Sequence, residues 1–202
     1  MPLPIAHSLL STSVFVASSG RLRLRDNYRL LALFIFVGLF PDADFITLPF
    51  FGFGLHRGLS HSLFFTTAAS MAIYAAARPW MRDTPARLWL YLAVAMGLHP
   101  ICDFFTPDLL ETRGGVMLFY PLSSAYYESP WPVFMGIELR YLYTIFSFHT
   151  IVALIHETIV AGSVLLAVIF IKRGTVAASR RRGSGEGRPA VPITTCERGG
   201  DE

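Results

Sequence analysis

The chain has 202 residues, of which 53% are hydrophobic, 14% aromatic and only 15% charged, with a mean hydropathy of +0.49. Soluble domains carry about 25% charged residues, so this balance excludes an ordinary water-soluble enzyme and points to a membrane protein of one domain. The net charge of +3 does not signal nucleic acid, because the arginines gather at the ends of apolar segments and after Lys172 instead of forming one basic face.

Five apolar segments follow in order. Pro4 to Ser19 carries His7 and has its arginines (Arg21, Arg23, Arg25, Arg29) after it, unlike a signal peptide, so a short retained span is expected. Tyr28 to Phe40 runs into Pro41. Leu59 to Ala77 stops at Arg78-Pro79, where proline ends a helix. Ala86 to Phe105 holds His99 and Asp103, and His149 to Ile171 is a full-length span. The connection from Pro107 to Phe148, rich in aromatics, glycine and proline, predicts a cap with short helices over one membrane face. After Lys172-Arg173 the composition turns to Gly, Ser, Arg, Glu and Pro, which predicts a disordered tail over 174–202. The expected fold is therefore an all-α polytopic bundle of about five spans over residues 1–173. Cys102 and Cys196 make neither a disulfide framework nor a zinc-type pair.

With five spans, all of the 17 lysines and arginines except Arg57, Arg113 and Arg140 fall on one side. The positive-inside rule puts that side in the cytoplasm, with the tail, and the amino terminus outside. The consequence concerns the polar residues. His7 opens a segment that begins outside, and Asp42 and Asp44 follow one that ends outside. His56 and His61 precede one that begins outside, and His99 and Asp103 close one that ends outside. All seven are expected at the outer face. His99 and Asp103, four apart, share one side of a helix.

Neutral imidazoles mixed with carboxylates are what a divalent cation such as zinc or manganese accepts: nitrogen donors together with oxygen donors whose charge neutralises the ion. Seven candidates exceed one tetrahedral shell, leaving two ions, or one ion with supporting partners. Taken singly, each has a plainer role. Asp42 suits a turn, Ser60 or Ser62 a helix cap, and His56 a solvated surface position. Arg57 suits either an anionic group or a surface pair with Glu111 or Glu128. His149 and His156 read as interfacial and packed residues, and Trp80, Trp89 and Trp131 as interface anchors.

His7, Pro41-Asp42-Ala43-Asp44, His56-Arg57-Gly58-Leu59-Ser60-His61-Ser62-Leu63, His99 with Asp103 before Thr106-Pro107, and Gly115 through Tyr120-Pro121 follow one another in an order that resembles the LexA-regulated, membrane-bound metal-dependent hydrolases. That resemblance covers roughly Ala6 to Pro121. It implies a helical inner-membrane hydrolase whose metal positions are His7, Asp42, Asp44, His56, His61, His99 and Asp103. Phe45 and Leu55 depart from the family pattern.

Three functions are open to such a site. In the first, a hydrolase of a phosphoester or lipid-linked ester uses a metal-activated water, with Asp42 or Asp44 as general base where one of them is not a ligand and Arg57 steadying the oxyanion. Its substrate would arrive from the lipid bilayer. In the second, the same residues form the uptake site of a metal or proton transporter, which needs ionisable groups continuing across the membrane; only His156 and Glu157 lie deep. In the third, the metal only staples the helices.

Overall fold

A computed structural model of the chain describes residues 4–19, 27–47, 57–81, 85–109, 114–137 and 147–185. These hold five α-helices: α1 (Pro4–Ser18), α2 (Tyr28–Leu39), α3 (Leu63–Ala77), α4 (Leu88–Phe104) and α5 (Phe148–Gly185). Tight 3-10 segments occupy Phe40–Thr47, Leu59–His61 and Arg78–Trp80. The helices begin and end for local reasons. Pro4 fits the first turn of α1, where its missing N–H is no loss. Ser62 caps α3 by accepting the Phe65 amide at 3.1 Å. The serines and threonines inside these apolar helices turn their hydroxyls back onto the preceding turn, as Thr12 does to the Ser8 carbonyl and Thr67 to that of Leu63. A polar side chain satisfied in this way needs no water.

α1 packs on α2, both pack on α4, and α3 packs on α4. Between them lies a core of Val14, Phe15, Val16, Phe34, Val37, Leu88, Leu92, Ala95 and Met96. A second cluster joins Ala6, Leu10, Cys102 and Phe134 to Ala161 of α5. One contact sets the α1–α2 distance: a Cβ on Gly38 would overlap the Ser11 hydroxyl and come within 2.8 Å of Ser11 Cβ. Only glycine lets α2 lie so close to α1 there.

Among the described residues one helix is long and apolar enough to cross a membrane, Phe148–Ala178, whose most apolar stretch has a mean hydropathy of 2.2. Of the about five spans expected from the sequence, the last reaches full length as a helix and the others are shorter. α1 and α4 are apolar but have 15 and 17 residues, about 22 and 26 Å against a hydrocarbon core of about 30 Å. α2 and α3 are also short, because the 3-10 turns at Phe40–Thr47 and Leu59–His61 end the one at Leu39 and delay the other to Leu63.

Two further expectations are corrected. The connection after Pro107 forms no helix among its described residues. Residues 114–137 are an irregular strap closed by a bridge between Val116 and Tyr127. Pro121, Pro130 and Pro132 withhold backbone donors, and Gly114, Gly115 and Gly136 turn at positive φ. At Gly115 a Cβ would strike the Tyr127 backbone. The strap is tied to the start of α3 and the end of α4 by Leu63 N to Leu118 O (2.9 Å) and Ser129 N to Phe104 O (2.9 Å). At the other end of the chain, α5 does not stop at Arg173 but continues to Gly185. The stretch from Lys172 to Gly185 contains no proline, and its lysine, arginines and alanines favour helix. Residues 186–202 of the expected tail lie outside the described residues. By contacts the chain divides into Met1–Ile169 and Phe170–Glu202.

Candidate metal centre

The 3-10 turns at Phe40–Thr47 and Leu59–His61 and the end of α4 bring four side-chain atoms together. His99 Nε2 lies 3.2 Å from His61 Nε2, 3.2 Å from Asp42 Oδ1 and 3.5 Å from Asp103 Oδ2. His61 Nε2 lies 3.2 Å from Asp103 Oδ2 and 3.6 Å from Asp42 Oδ1. The residues span 61 positions of sequence, yet His61, His99 and Asp103 are no more than 1% exposed. Asp42, with 13% of its side chain exposed, is the most open of the four.

Each imidazole is held by its other nitrogen. His99 Nδ1 lies 2.8 Å from the Gly38 carbonyl, which can only accept, so Nδ1 carries the proton and Nε2 faces the cluster. On the His61 side, the Ser60 hydroxyl donates to Asp44 Oδ2 at 2.7 Å and meets His61 Nδ1 at 2.9 Å. Because its proton is committed to Asp44, Ser60 Oγ accepts from Nδ1, and His61 too presents Nε2. Asp44 thus stands behind the ring, 3.5 Å from Nδ1. Ser62, not Ser60, is the helix cap.

His7 stacks on His99 with ring centroids 3.7 Å apart and planes 13° apart. It is 2% exposed, and neither of its ring nitrogens has a hydrogen-bond partner among the described residues. Arg57, 4% exposed, sets Nη2 3.6 Å from Asp103 Oδ1. His56 and Arg113 lie outside the described residues. Two participants have no signal in the sequence or a misleading one: the Gly38 carbonyl is backbone, and Ser60 reads as a cap. A third residue, Glu157 on α5, is fully buried within electrostatic reach of Cys102, beside Asp103. His149 Nε2 donates to the Gly136 carbonyl at 3.1 Å.

The fit to a cation is testable on these distances. Five edges of the figure formed by the four atoms measure 3.2 to 3.6 Å. Three corners of a regular tetrahedron with such edges, set by His61 Nε2, His99 Nε2 and Asp103 Oδ2, lie about 2.0–2.2 Å from its centre, the length of a zinc–imidazole or zinc–carboxylate bond, and leave a fourth corner open. Asp42 Oδ1 and both Asp103 oxygens are buried with no aligned hydrogen-bond donor among the described residues, although imidazole nitrogens lie close by. Three carboxylates face one guanidinium here, an excess of negative charge that a buried site does not tolerate uncompensated. His7 with Asp42 and His99, and His61 with His99 and Asp103, form two overlapping groups able to hold an ion. Without an ion, protons take its place. Burial disfavours charge on His61, but short polar contacts with Asp103 and Asp42 and the carboxylate charges outweigh it, raising this turn residue from 6.5 to about 10. Burial likewise opposes charge on Asp42, yet His99 and His61 hold its carboxyl well below the usual range.

The five helices and this buried His–Asp cluster define a class, the all-helical proteins with a buried polar centre. Within that class the chain belongs to the YdjM inner membrane protein family, whose profile matches residues 1–179. It is similar to the inner membrane protein YbcI of Escherichia coli strain K12, with 35% identity over 111 residues, 52% of this chain and 61% of that protein. No solved structure matches the chain.

Proposed function

We propose that the protein is an inner-membrane metal-dependent hydrolase of a phosphoester or lipid-linked ester. The observation that carries this reading is the convergence of His61 Nε2, His99 Nε2, Asp42 Oδ1 and Asp103 Oδ2, with five of their six separations at 3.2 to 3.6 Å. Zinc fits the mixed nitrogen and oxygen donors, and manganese is the second choice. A divalent ion held there would supply a water of lowered pKa and polarise the ester oxygen. The protein residues do the rest. Ser60 with Asp44, and the Gly38 carbonyl, fix the two imidazoles so that each offers Nε2. With His61, His99 and Asp103 holding the ion, Asp42, the most solvent-accessible of the four, is left to take up the proton of the attacking water. Arg57 balances Asp103 and faces the charge that develops on the substrate. His7 covers the face of His99.

The same reading places α1 to α4 at membrane depth beside α5, with the amino terminus and the centre outside and the carboxy-terminal end cytoplasmic. It is supported by the large apolar side chains on outward-facing positions: Phe36, Phe64, Met71, Leu90, Val94 and Ile101 are all 40% or more exposed. Helices apolar on every face belong in lipid, and lipid would deliver an acyl-linked substrate. Elemental analysis of detergent-purified protein, with hydrolysis assays on phosphoesters and lipid esters, tests the proposal. A bound divalent ion is expected, lost in the His61→Ala/Asp103→Ala double variant together with chelator-sensitive hydrolysis. Metal retained by the double variant, or metal-replete protein that hydrolyses no member of the panel, overturns it.

A second reading rests on the near-complete burial of His61, His99 and Asp103. An ion held there would join α4 to both 3-10 turns and serve as a structural staple. Chelation that lowers thermal stability while no substrate is turned over favours it.

A further inference from the structure

We propose that Arg57 builds a phosphoryl-binding subsite beside the metal centre, so that the substrate carries a phosphate group and not a carboxylic ester. The inference rests on the hydrolase reading and narrows it. Arg57 is buried, at 4% exposure, and its Nη1 and Nη2 both lack a hydrogen-bond partner among the described residues. Among the described residues its nearest carboxylate oxygen, Asp103 Oδ1, stands 3.6 Å from Nη2, beyond the roughly 2.7–2.9 Å of a charge-assisted hydrogen bond. Asp103 therefore balances the charge of Arg57 without occupying its donors. An arginine whose sole task was to orient Asp103 would close that bond.

The backbone tells the same story. Arg57 has φ of 60°, in the left-handed region that non-glycine residues enter at a cost. The strap holds it there, since the Met117 amide donates to the Arg57 carbonyl at 3.0 Å. Strain maintained by a second segment delivers a planar fork of N–H donors to within one carboxylate of the four converging atoms. That fork matches two oxygens of a tetrahedral oxyanion. An uncharged carboxylic ester offers one carbonyl oxygen and would leave buried guanidinium donors unpaired. A phosphoryl group fills the fork and still presents an oxygen towards the His61–His99–Asp42–Asp103 centre.

The test measures binding of inorganic phosphate, by calorimetry, to zinc-loaded full-length protein in nanodiscs, with zinc content determined on the same samples. Arg57→Gln is expected to keep its zinc and to weaken phosphate binding by at least about tenfold, the loss of one charge-assisted hydrogen bond. Arg57→Lys keeps the charge but not the fork, and is expected to fall between the two, also with zinc intact; it serves where the Gln variant does not fold. Unchanged phosphate affinity in a zinc-loaded variant overturns the subsite and leaves the hydrolase reading standing. Wild-type protein that takes up no zinc or manganese overturns the hydrolase reading and the subsite with it. Two competitors then identify the source of the phosphoryl group. Displacement of phosphate only by phosphatidic acid in the nanodisc points to a lipid substrate, and displacement by a soluble short-chain phosphate monoester to a soluble one. Displacement by neither overturns the inference.

Discussion

Gly38→Ala perturbs the metal centre without touching a candidate ligand. The new Cβ would overlap Ser11 Oγ and sit 2.8 Å from Ser11 Cβ, where carbon atoms in contact keep about 3.5–4.0 Å. The hydroxyl can rotate away, but the Cβ cannot, so α1 and α2 must part by roughly 1 Å. Overpacking of this kind costs about 1–3 kcal/mol. The same displacement carries the Gly38 carbonyl away from His99 Nδ1, now 2.8 Å distant, and a lost supporting bond of this sort weakens metal binding by about 10–100-fold. Thermal unfolding in detergent reads the first effect, and chelator competition for bound zinc the second. Ser11→Gly in the same chain removes the obstructing side chain and is expected to restore both. Wild-type melting and wild-type zinc affinity in Gly38→Ala would refute the reasoning, as would failure of Ser11→Gly to restore a damaged variant.

Ser60→Ala leaves His61 Nδ1 and Asp44 without their shared hydroxyl and should lower zinc affinity by about 10-fold with little change in the helix content seen by circular dichroism. Ser62→Ala removes the cap of α3 and should lower stability by about 1 kcal/mol while metal content stays unchanged. Chelated protein should respond to pH through His61. Its folded pKa of about 10 lies above the ordinary 6.5, so the stabilisation it supplies is complete below pH 6.5 and is lost as pH rises through about 10. Asp42 acts oppositely, stabilising above 3.8 and losing that contribution as pH falls. Metal uptake must displace the His61 proton, so calorimetry in buffers of different ionisation enthalpy should show proton release near neutral pH.

Much of the centre is readable in one dimension because membrane sequences punish stray polarity. In a chain of 15% charge, Asp42, His61, His99 and Asp103 stand out, and the alternation of the segments carries their ends to the same side of the bundle. The spacing of His99 and Asp103 needs nothing beyond a helix to align them. Helix ends were less legible. α3 begins at Leu63 and not Leu59 because Leu59–His61 closes into a 3-10 turn that aims His61, and apolar side chains on both sides of the start conceal the boundary. α5 outruns the change of composition at Arg173, since lysine and arginine are good helix formers in water as well as at a membrane edge.

The chemistry is written in the order of residues: apolar helices, an inner-membrane family, and a set of imidazoles and carboxylates confined to the segment ends. The division of labour among those residues was decided only in three dimensions. Asp42 and Asp44 are two positions apart and chemically identical, yet one meets His99 Nε2 at 3.2 Å and the other stands behind His61 through Ser60. The tight turn from Phe40 to Thr47 sends their side chains to different sides of one imidazole, and turn geometry follows from packing. The Gly38 carbonyl that orients His99 has no side chain to betray it, because a backbone acceptor acquires its role only when α2 is pressed against α1 and α4.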